Sequence, residues 1–278
     1  MNKLLVIGDV IDDIIVVPEG EIRNNTDTNA TIEQTLGGSA SNVASWAANQ
    51  NADVTFVGCV SSNDVERVVK EFEAFGVHCD LQVSQRNTGS LVVLVQGASR
   101  SMLTDRGANQ DLSLIELTEH KLVTYKYVYL SGYAILNRSV EEVQNFINTV
   151  HEAGSIIVID PGSTGFIKDY GISKFKEAVS GVDILLPNHE EFELLGVIAK
   201  TTLVTKGEQG VDLYIDGVLK ESFSAPVVES IDPTGAGDSF AGGLLAGLSK
   251  GLEMRNAIAA GINCAAMAVT TIGARPKL

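Results

Sequence analysis

The 278-residue chain has 45% hydrophobic residues and a formal net charge of -15, from 35 acidic against 20 basic residues. Such a chain can bury a sizeable core as one large α/β domain, which excludes a disordered polymer. Its acidity disfavours nucleic acid and anionic lipid as partners, because both repel a chain of the same sign. Cys59, Cys79 and Cys264 form neither a close pair nor a metal-ligand spacing and fit a reduced, cytoplasmic setting. The start MNKLLVIGDV is too short for a membrane span, lacks a small-residue cleavage site and reads as a buried first strand.

In chain order, Leu4–Ile7 is an apolar run ending at Gly8-Asp9, as in an inner parallel strand. Residues 14–36 are polar and broken by Pro18 and Gly20, with short strands expected at Ile14–Val17 and Thr31–Thr35; they form a candidate lid. A helix of small residues is expected over Ser41–Ala48, entered through Gly37-Gly38, followed by a strand over Val54–Val60. The next helix, Asp64–Phe75, carries Val65, Val68, Val69 and Phe72 on one side, with Asn63 and Glu66 as a candidate capping pair. Leu91–Gln96 reads as a strand, residues 97–109 as a polar loop and Tyr127–Leu130 as a strand. Ser139 and Glu142 form a capping box before a helix with the stripe Val140, Val143, Phe146, Ile147 and Val150. Ile156–Ile159, Ile184–Leu186 and Leu203–Thr205 continue the alternation of short strands and helices. This rhythm predicts an open, mostly parallel α/β sheet with helices on both faces. Sites in such sheets lie beyond the carboxyl ends of the strands, where Gly8-Asp9, Ser131-Gly132, Asp160-Pro161, Pro187-Asn188 and Lys206-Gly207 fall.

The strongest local signal is IDPTGAGDSFAGG, residues 231–243. Thr234, Gly235, Ala236 and Gly237 make a small turn that opens a helix, so several backbone N–H groups point at one spot and can hold an anion. Asp238 then sits where a phosphate would repel it. Two readings stay open on the residues alone: a base that takes a proton from an attacking alcohol, or an N-capping aspartate. No Gly-Lys-Ser/Thr closes the loop, so it is not a Walker A sequence. The first strand lacks the Gly-x-Gly-x-x-Gly of a dinucleotide-binding dehydrogenase.

Over essentially its whole length the chain resembles the ribokinase-like carbohydrate kinases, the PfkB family. DPTGAGDSFAGG is similar to that family's carboxyl-terminal signature. LGGSASNVASWAA (Leu36–Ala48) resembles its amino-terminal one, PNHEEFELL (Pro187–Leu195) its Asn-x-x-Glu motif, and VTKGEQGVDLY (Val204–Tyr214) its nucleotide-side hairpin. The resemblance implies a three-layer ribokinase-like sandwich with a small β lid from insertions at about 14–36 and 91–109. It implies ATP-dependent phosphorylation of a primary hydroxyl of a small sugar, with Asp238 as base and Gly235, Ala236 and Gly237 as anion hole. Asp13, Gly37, Gly38, Asn42 and Arg106 are the acceptor-site candidates, with Tyr133 and Thr88-Gly89 as further ones. Asn188, Lys206, Gly207, Thr234 and Asn263 are the nucleotide-side candidates. Glu191 would hold Mg2+ through water, and Asp232 with the loop 269–274 would serve a monovalent cation such as K+. Trp46, Cys264 and Met267 read as packing residues. A homodimer through the lid is expected. Alternatives are a nucleoside kinase of the same fold and a sugar- or nucleotide-binding protein without turnover. Ser39-Ala40 stands where true ribokinases carry Lys-Gly, Pro233-Thr234-Gly235 where they favour Thr-Thr-Ala, and residues 60–65 lack the family's Gly-x-Asp. DPGSTGF, residues 160–166, lacks an arginine suited to a keto-acid sugar or a phosphorylated acceptor.

Overall fold

The computed structural model describes residues 2–96 and 99–277. Fifteen strands follow one another as β1 Lys3–Ile7, β2 Ile11–Pro18, β3 Ala30–Gly37, β4 Val54–Val57, β5 Cys59–Ser61, β6 His78–Cys79, β7 Gln82–Ser84, β8 Gly89–Gln96, β9 Ser99–Asp105, β10 Tyr125–Ser131, β11 Ile156–Asp160, β12 Ile184–Leu185, β13 Thr201–Thr205, β14 Val211–Ile215 and β15 Val218–Phe223. The α-helices are α1 Ser39–Asn49, α2 Val65–Ala74, α3 Glu119–Leu122, α4 Val140–Glu152, α5 Thr164–Tyr170, α6 Ile172–Ala178, α7 His189–Leu195, α8 Ala236–Ser249 and α9 Met254–Ala268.

Nine strands form the main sheet in the order β15-β14-β13-β12-β11-β10-β1-β4-β6. It is parallel from β13 to β6, while β14 and β15 add antiparallel at the edge. Alternation along each strand feeds two cores. Leu4, Val6, Phe56 and Tyr129 face α1, α2, α8 and α9; Leu5, Ile7, Val128 and Leu130 face α4 to α7. The architecture is the expected helix–sheet–helix sandwich. No helix among the described residues is long and apolar enough to cross a membrane.

A second sheet, β3-β2-β8-β9, stands off the first. The expected loop over 97–109 is instead largely strand: β9 pairs antiparallel with β8, and a 3-10 turn spans Gly107–Asp111. Gly97 and Ala98 lie outside the described residues. Periodicity missed β9 because its polar residues pair through the backbone, which needs no apolar side chain. The expected strand Val54–Val60 splits into β4 and β5 at Gly58. Asp64, not Asn63, precedes α2, and it spends its carboxylate on Thr88 and Arg67 rather than on a cap. Ser139 does accept from the Glu142 N–H, but the Glu142 carboxylate pairs with Arg138, leaving the box half made.

Helices α1 and α8 lie against each other because their facing residues are small. A Cβ on Gly242 would come within 2.6 Å of the Trp46 Cβ and 2.9 Å of the Val43 carbonyl. Gly242→Val should push the helices apart and cost about 1–3 kcal/mol of stability, read by urea denaturation, with loss of turnover.

Candidate active site

Two cavities meet at the N-terminus of α8. One, of about 690 Å³, is a largely apolar groove between Ala225–Val228, Phe240, Ile262 and Ala266. The other, of about 650 Å³, lies between the carboxyl ends of the main strands and the second sheet. Both are lined by Pro233, Ala236, Gly237 and Phe240.

At the second cavity, strand alternation separates the three N-terminal aspartates. Asp12 turns away and forms a bidentate pair with Arg67, both contacts 2.9 Å. Asp13, one residue on, lines the cavity. Asp9 is buried, and its oxygens accept from the Ser39 N–H (2.8 Å), the Ala40 N–H (3.4 Å) and the Ser131 hydroxyl (2.9 Å). It caps α1 from β1, since Gly38 at the cap position has no side chain to do so. Gly37 leaves the space that Asp13 uses: a Cβ there would meet Asp13 Oδ2 at 2.0 Å. Burial raises Asp13 to about 6, against the pull of the nearby Arg275 guanidinium.

Asp238 is held by α1. Ser39 Oγ donates to its Oδ1 at 2.7 Å and Asn42 Nδ2 to its Oδ2 at 2.8 Å. Burial pushes Asp238 up to about 7; those two bonds pull it down, and Asp9 and Asp13 add to the rise. Gly235 begins the turn with φ 75°, and a Cβ there would meet Ala274 at 2.6 Å, so only glycine fits. At the start of α8 the Ala236 N–H goes to the Pro233 carbonyl at 3.2 Å, and Gly237, which follows it in the first turn where no carbonyl of the helix precedes, lines both cavities.

Asn188 and Glu191 make a full capping box at α7, with the Asn188 N–H on Glu191 Oε2 at 2.8 Å and the Glu191 N–H on Asn188 Oδ1 at 2.9 Å. Glu191 is buried, not solvated, and burial raises it to about 7 against the Asn188 bonds. Asp160, at the end of β11, lines the same cavity, and burial together with the neighbouring Glu191 and Asp238 charges pushes it well up. Two carboxylates in this state fit a divalent cation, which would relieve their burial and mutual repulsion.

On the nucleotide side Gly207 lines the groove. Lys206 pairs with Asp212 at 2.7 Å and lines a smaller hollow beside Asn188. Thr234 lines the acceptor cavity; its N–H (3.1 Å) and hydroxyl (2.6 Å) go to Asp232 Oδ1. Asp232 Oδ2 accepts from the Gly273 N–H at 3.1 Å, so Asp232 clamps the phosphate loop to the C-terminal segment. Asn263 is exposed and does not line the groove; Ile262 and Ala266 of the same helix do. Thr88 bonds Asp64 and the Ser61 N–H, away from either cavity. Trp46 and Cys264 are buried, with the Trp46 indole N–H on the Ala274 carbonyl, whereas Met267 is 56% exposed and no part of the core.

Of the acceptor candidates that the sequence proposed, Asp13, Gly38, Asn42, Arg106 and Tyr133 line one cavity with Asp238, while Gly37, Thr88 and Gly89 do not. Sequence reasoning missed Ser39, Asp160, Phe166 and Arg275. Ser39 was signalled by its place between Gly38 and Asn42, and Asp160 by its strand end. Arg275 had no signal: it is half-buried, bonds Ser41 and lies over the Phe72 and Phe75 rings.

The class of protein this arrangement serves is a nucleotide-dependent alcohol kinase: an apolar slot and a hydroxyl-binding pocket joined at an anion-binding helix end. Comparison with known proteins agrees. The family model "pfkB family carbohydrate kinase" matches residues 1–278. The chain is 26% identical to a ribokinase of Haemophilus influenzae, over 100% of this chain and 95% of that protein. It is 28% identical to an adenosine kinase of Dictyostelium discoideum, over 87% and 79%. The structure of an Arabidopsis thaliana ribokinase with ribose and ATP superposes with a TM-score of 0.82 at 23% identity, over 98% and 94% of the two chains. The chain belongs to the pfkB family of carbohydrate kinases. It is an ATP-dependent kinase of sugars or nucleosides.

Asp238 binds its proton more tightly folded (about 7) than unfolded (3.8), so its contribution to stability is lost as pH rises between those values. Asp238→Asn has no such titration, and the Asn42 amide can turn over to accept from the new amide. The melting temperature of the variant minus that of wild type should therefore be larger at pH 8 than at pH 5 in a buffer series.

Proposed function

We propose that the enzyme transfers the terminal phosphoryl group of ATP to a primary hydroxyl of a small sugar, with Asp238 as general base. The observation that carries this is the shared floor of the two cavities, where the α8 N-terminus and Asp238 lie between a nucleotide groove and a carboxylate-lined pocket. Asp13 accepts acceptor hydroxyls, with Gly37 and Gly38 letting the main chain stand back. Asn42 has a buried Oδ1 without a partner among the described residues, fit to take a further hydroxyl. Asp238 removes the proton of the attacking hydroxyl; each of its oxygens keeps a lone pair beyond those used by Ser39 and Asn42. The hydroxyl oxygen bonds to the terminal phosphorus as the bond to the bridging oxygen breaks, and ADP leaves. Gly235, Ala236 and Gly237 stabilise charge on the transferred group through the backbone.

Glu191 and Asp160 would hold Mg2+, which supplies charge neutralisation for the phosphates when bound. A K+ ion would be held by backbone oxygens of the loop 269–274, which Asp232 ties to Thr234 through the Gly273 N–H. Gly207 and Thr234 contact the nucleotide; Lys206, bound to Asp212, acts at longer range. The second sheet serves as the lid, excluding water from the transferred phosphoryl group. Its outward face carries Ile32 and Leu103, each 63% exposed, which supports a homodimer formed through it; light scattering at micromolar protein should give twice the chain mass. A nucleoside acceptor is the second reading, favoured by the adenosine kinase and cytidine kinase among the chain's relatives.

Asp238→Asn should lower kcat by about 10²–10⁴-fold while calorimetry shows ATP binding retained. Near-normal turnover would remove Asp238 from the role of base. Ser39→Ala deletes a hydrogen bond to the charged carboxylate, so the acidic limb of kcat/KM should move to higher pH.

A further inference from the structure

Alternation on β9 turns Met102 and Thr104 to the acceptor cavity, and Arg106, which follows the strand and heads the 3-10 turn Gly107–Asp111, lines it too. Asp13, Leu91 and Thr104 sit side by side across β2, β8 and β9, so Arg106 extends the face that carries the substrate aspartate. The same cavity is lined by the carboxylates Asp9, Asp13, Asp160, Glu191 and Asp238, and Arg106 is its cationic side chain.

The Arg106 Cζ lies 4.4 Å from the Phe166 ring centroid and 5.1 Å from that of Tyr133. The two rings meet edge to face, with centroids 5.6 Å apart. Stacking of this kind fixes the guanidinium plane and leaves its in-plane fork of N–H donors free to bind. Among the described residues no side chain accepts from that fork. Asp9, the carboxylate that Arg106 feels most, is already committed to Ser39, Ala40 and Ser131. A half-buried cation with unpaired donors, fixed by two aromatic rings, is matched by an oxyanion that can accept from the fork in two places.

We propose that the acceptor is a small sugar bearing an oxyanion, either a carboxylate or a phosphate ester, bound by the Arg106 fork. The proposal rests on the kinase reading above and adds the substrate class. It fixes the sugar's orientation. An anionic group anywhere else in this cavity faces carboxylates, while at Arg106 it leaves the hydroxyls to Asp13 and Asp238. A neutral sugar leaves the fork unpaired, and a nucleobase seeking the Tyr133 and Phe166 faces must displace the guanidinium. The lack of an arginine in DPGSTGF does not count against an anionic acceptor, because Arg106 reaches the pocket from β9 instead.

The test is steady-state kinetics of the full chain with Mg-ATP on matched acceptors: a neutral sugar, its sugar acid, its monophosphate and a nucleoside. One anionic arm should exceed the neutral sugar in kcat/KM by about 100-fold, and which arm does so tells carboxylate from phosphate. Arg106→Gln should remove most of that preference through the KM of the anionic acceptor and leave the KM for ATP unchanged. Arg106→Lys, which keeps the charge but loses the fork, should lie between and serves if the glutamine variant melts early. A neutral sugar or nucleoside as best acceptor, with its rank unmoved by Arg106→Gln, overturns the anionic class and leaves the kinase standing. Calorimetry of the anionic acceptors with a non-hydrolysable ATP analogue reads the oxyanion site without turnover. No binding there overturns the proposal, and no phosphorylation of any acceptor overturns the kinase reading with it.

Discussion

Two helix N-termini converge on one carboxylate, and the site is built around that contact. Asp238 begins α8, and its two oxygens are held by Ser39 and Asn42 of α1. Helix N-termini carry partial positive charge and unpaired N–H groups, so each end favours an anion. The α1 end is satisfied by Asp9, whose carboxylate caps it from β1. The α8 end has no side-chain cap among the described residues, and its first residues, Ala236 and Gly237, line both cavities. The close packing of Gly242 on α1 keeps the two ends in register, which makes a core contact part of the catalytic geometry.

Electrostatic imbalance is the cost of that arrangement. Asp13, Asp160, Glu191 and Asp238 are all pushed above the ordinary carboxylate range, first by burial. Buried carboxylates without cations cost stability near neutral pH, and enzymes keep such groups where chemistry needs them. The remaining pieces each ease part of the strain: capping bonds on Glu191, α1 donors on Asp238, and Arg275 near Asp13. A cation at Asp160 and Glu191 and hydroxyl donors at Asp13 would ease the rest.

The legible parts of this protein share a property: their chemistry is local in the chain. The turn at Gly235–Asp238, the Gly37–Asn42 entry to α1 and the Asn188–Glu191 cap each place their functional groups within one turn of backbone, so residue type and spacing suffice to find them. β9 escaped because its pairing partner β8 supplies the order. Asn263 was misplaced by one position, since helix phase decides which side chain meets the groove and Ile262 and Ala266 take it. Met267 was misplaced for the same reason.

By itself the sequence determined the alternation of strands and helices and the glycine turn that leads into Asp238, because period and turn chemistry are properties of neighbouring residues. The tertiary structure alone decided that Asp13 lines the acceptor cavity while Asp12 turns to Arg67, because strand pleat puts neighbours on opposite faces. It also decided that Ser39 holds Asp238, that Asp160 shares a cavity with Glu191, and that Arg106 rests on Phe166 and Tyr133. Those partners lie up to 199 positions apart and meet only where strand ends and helix ends are packed together.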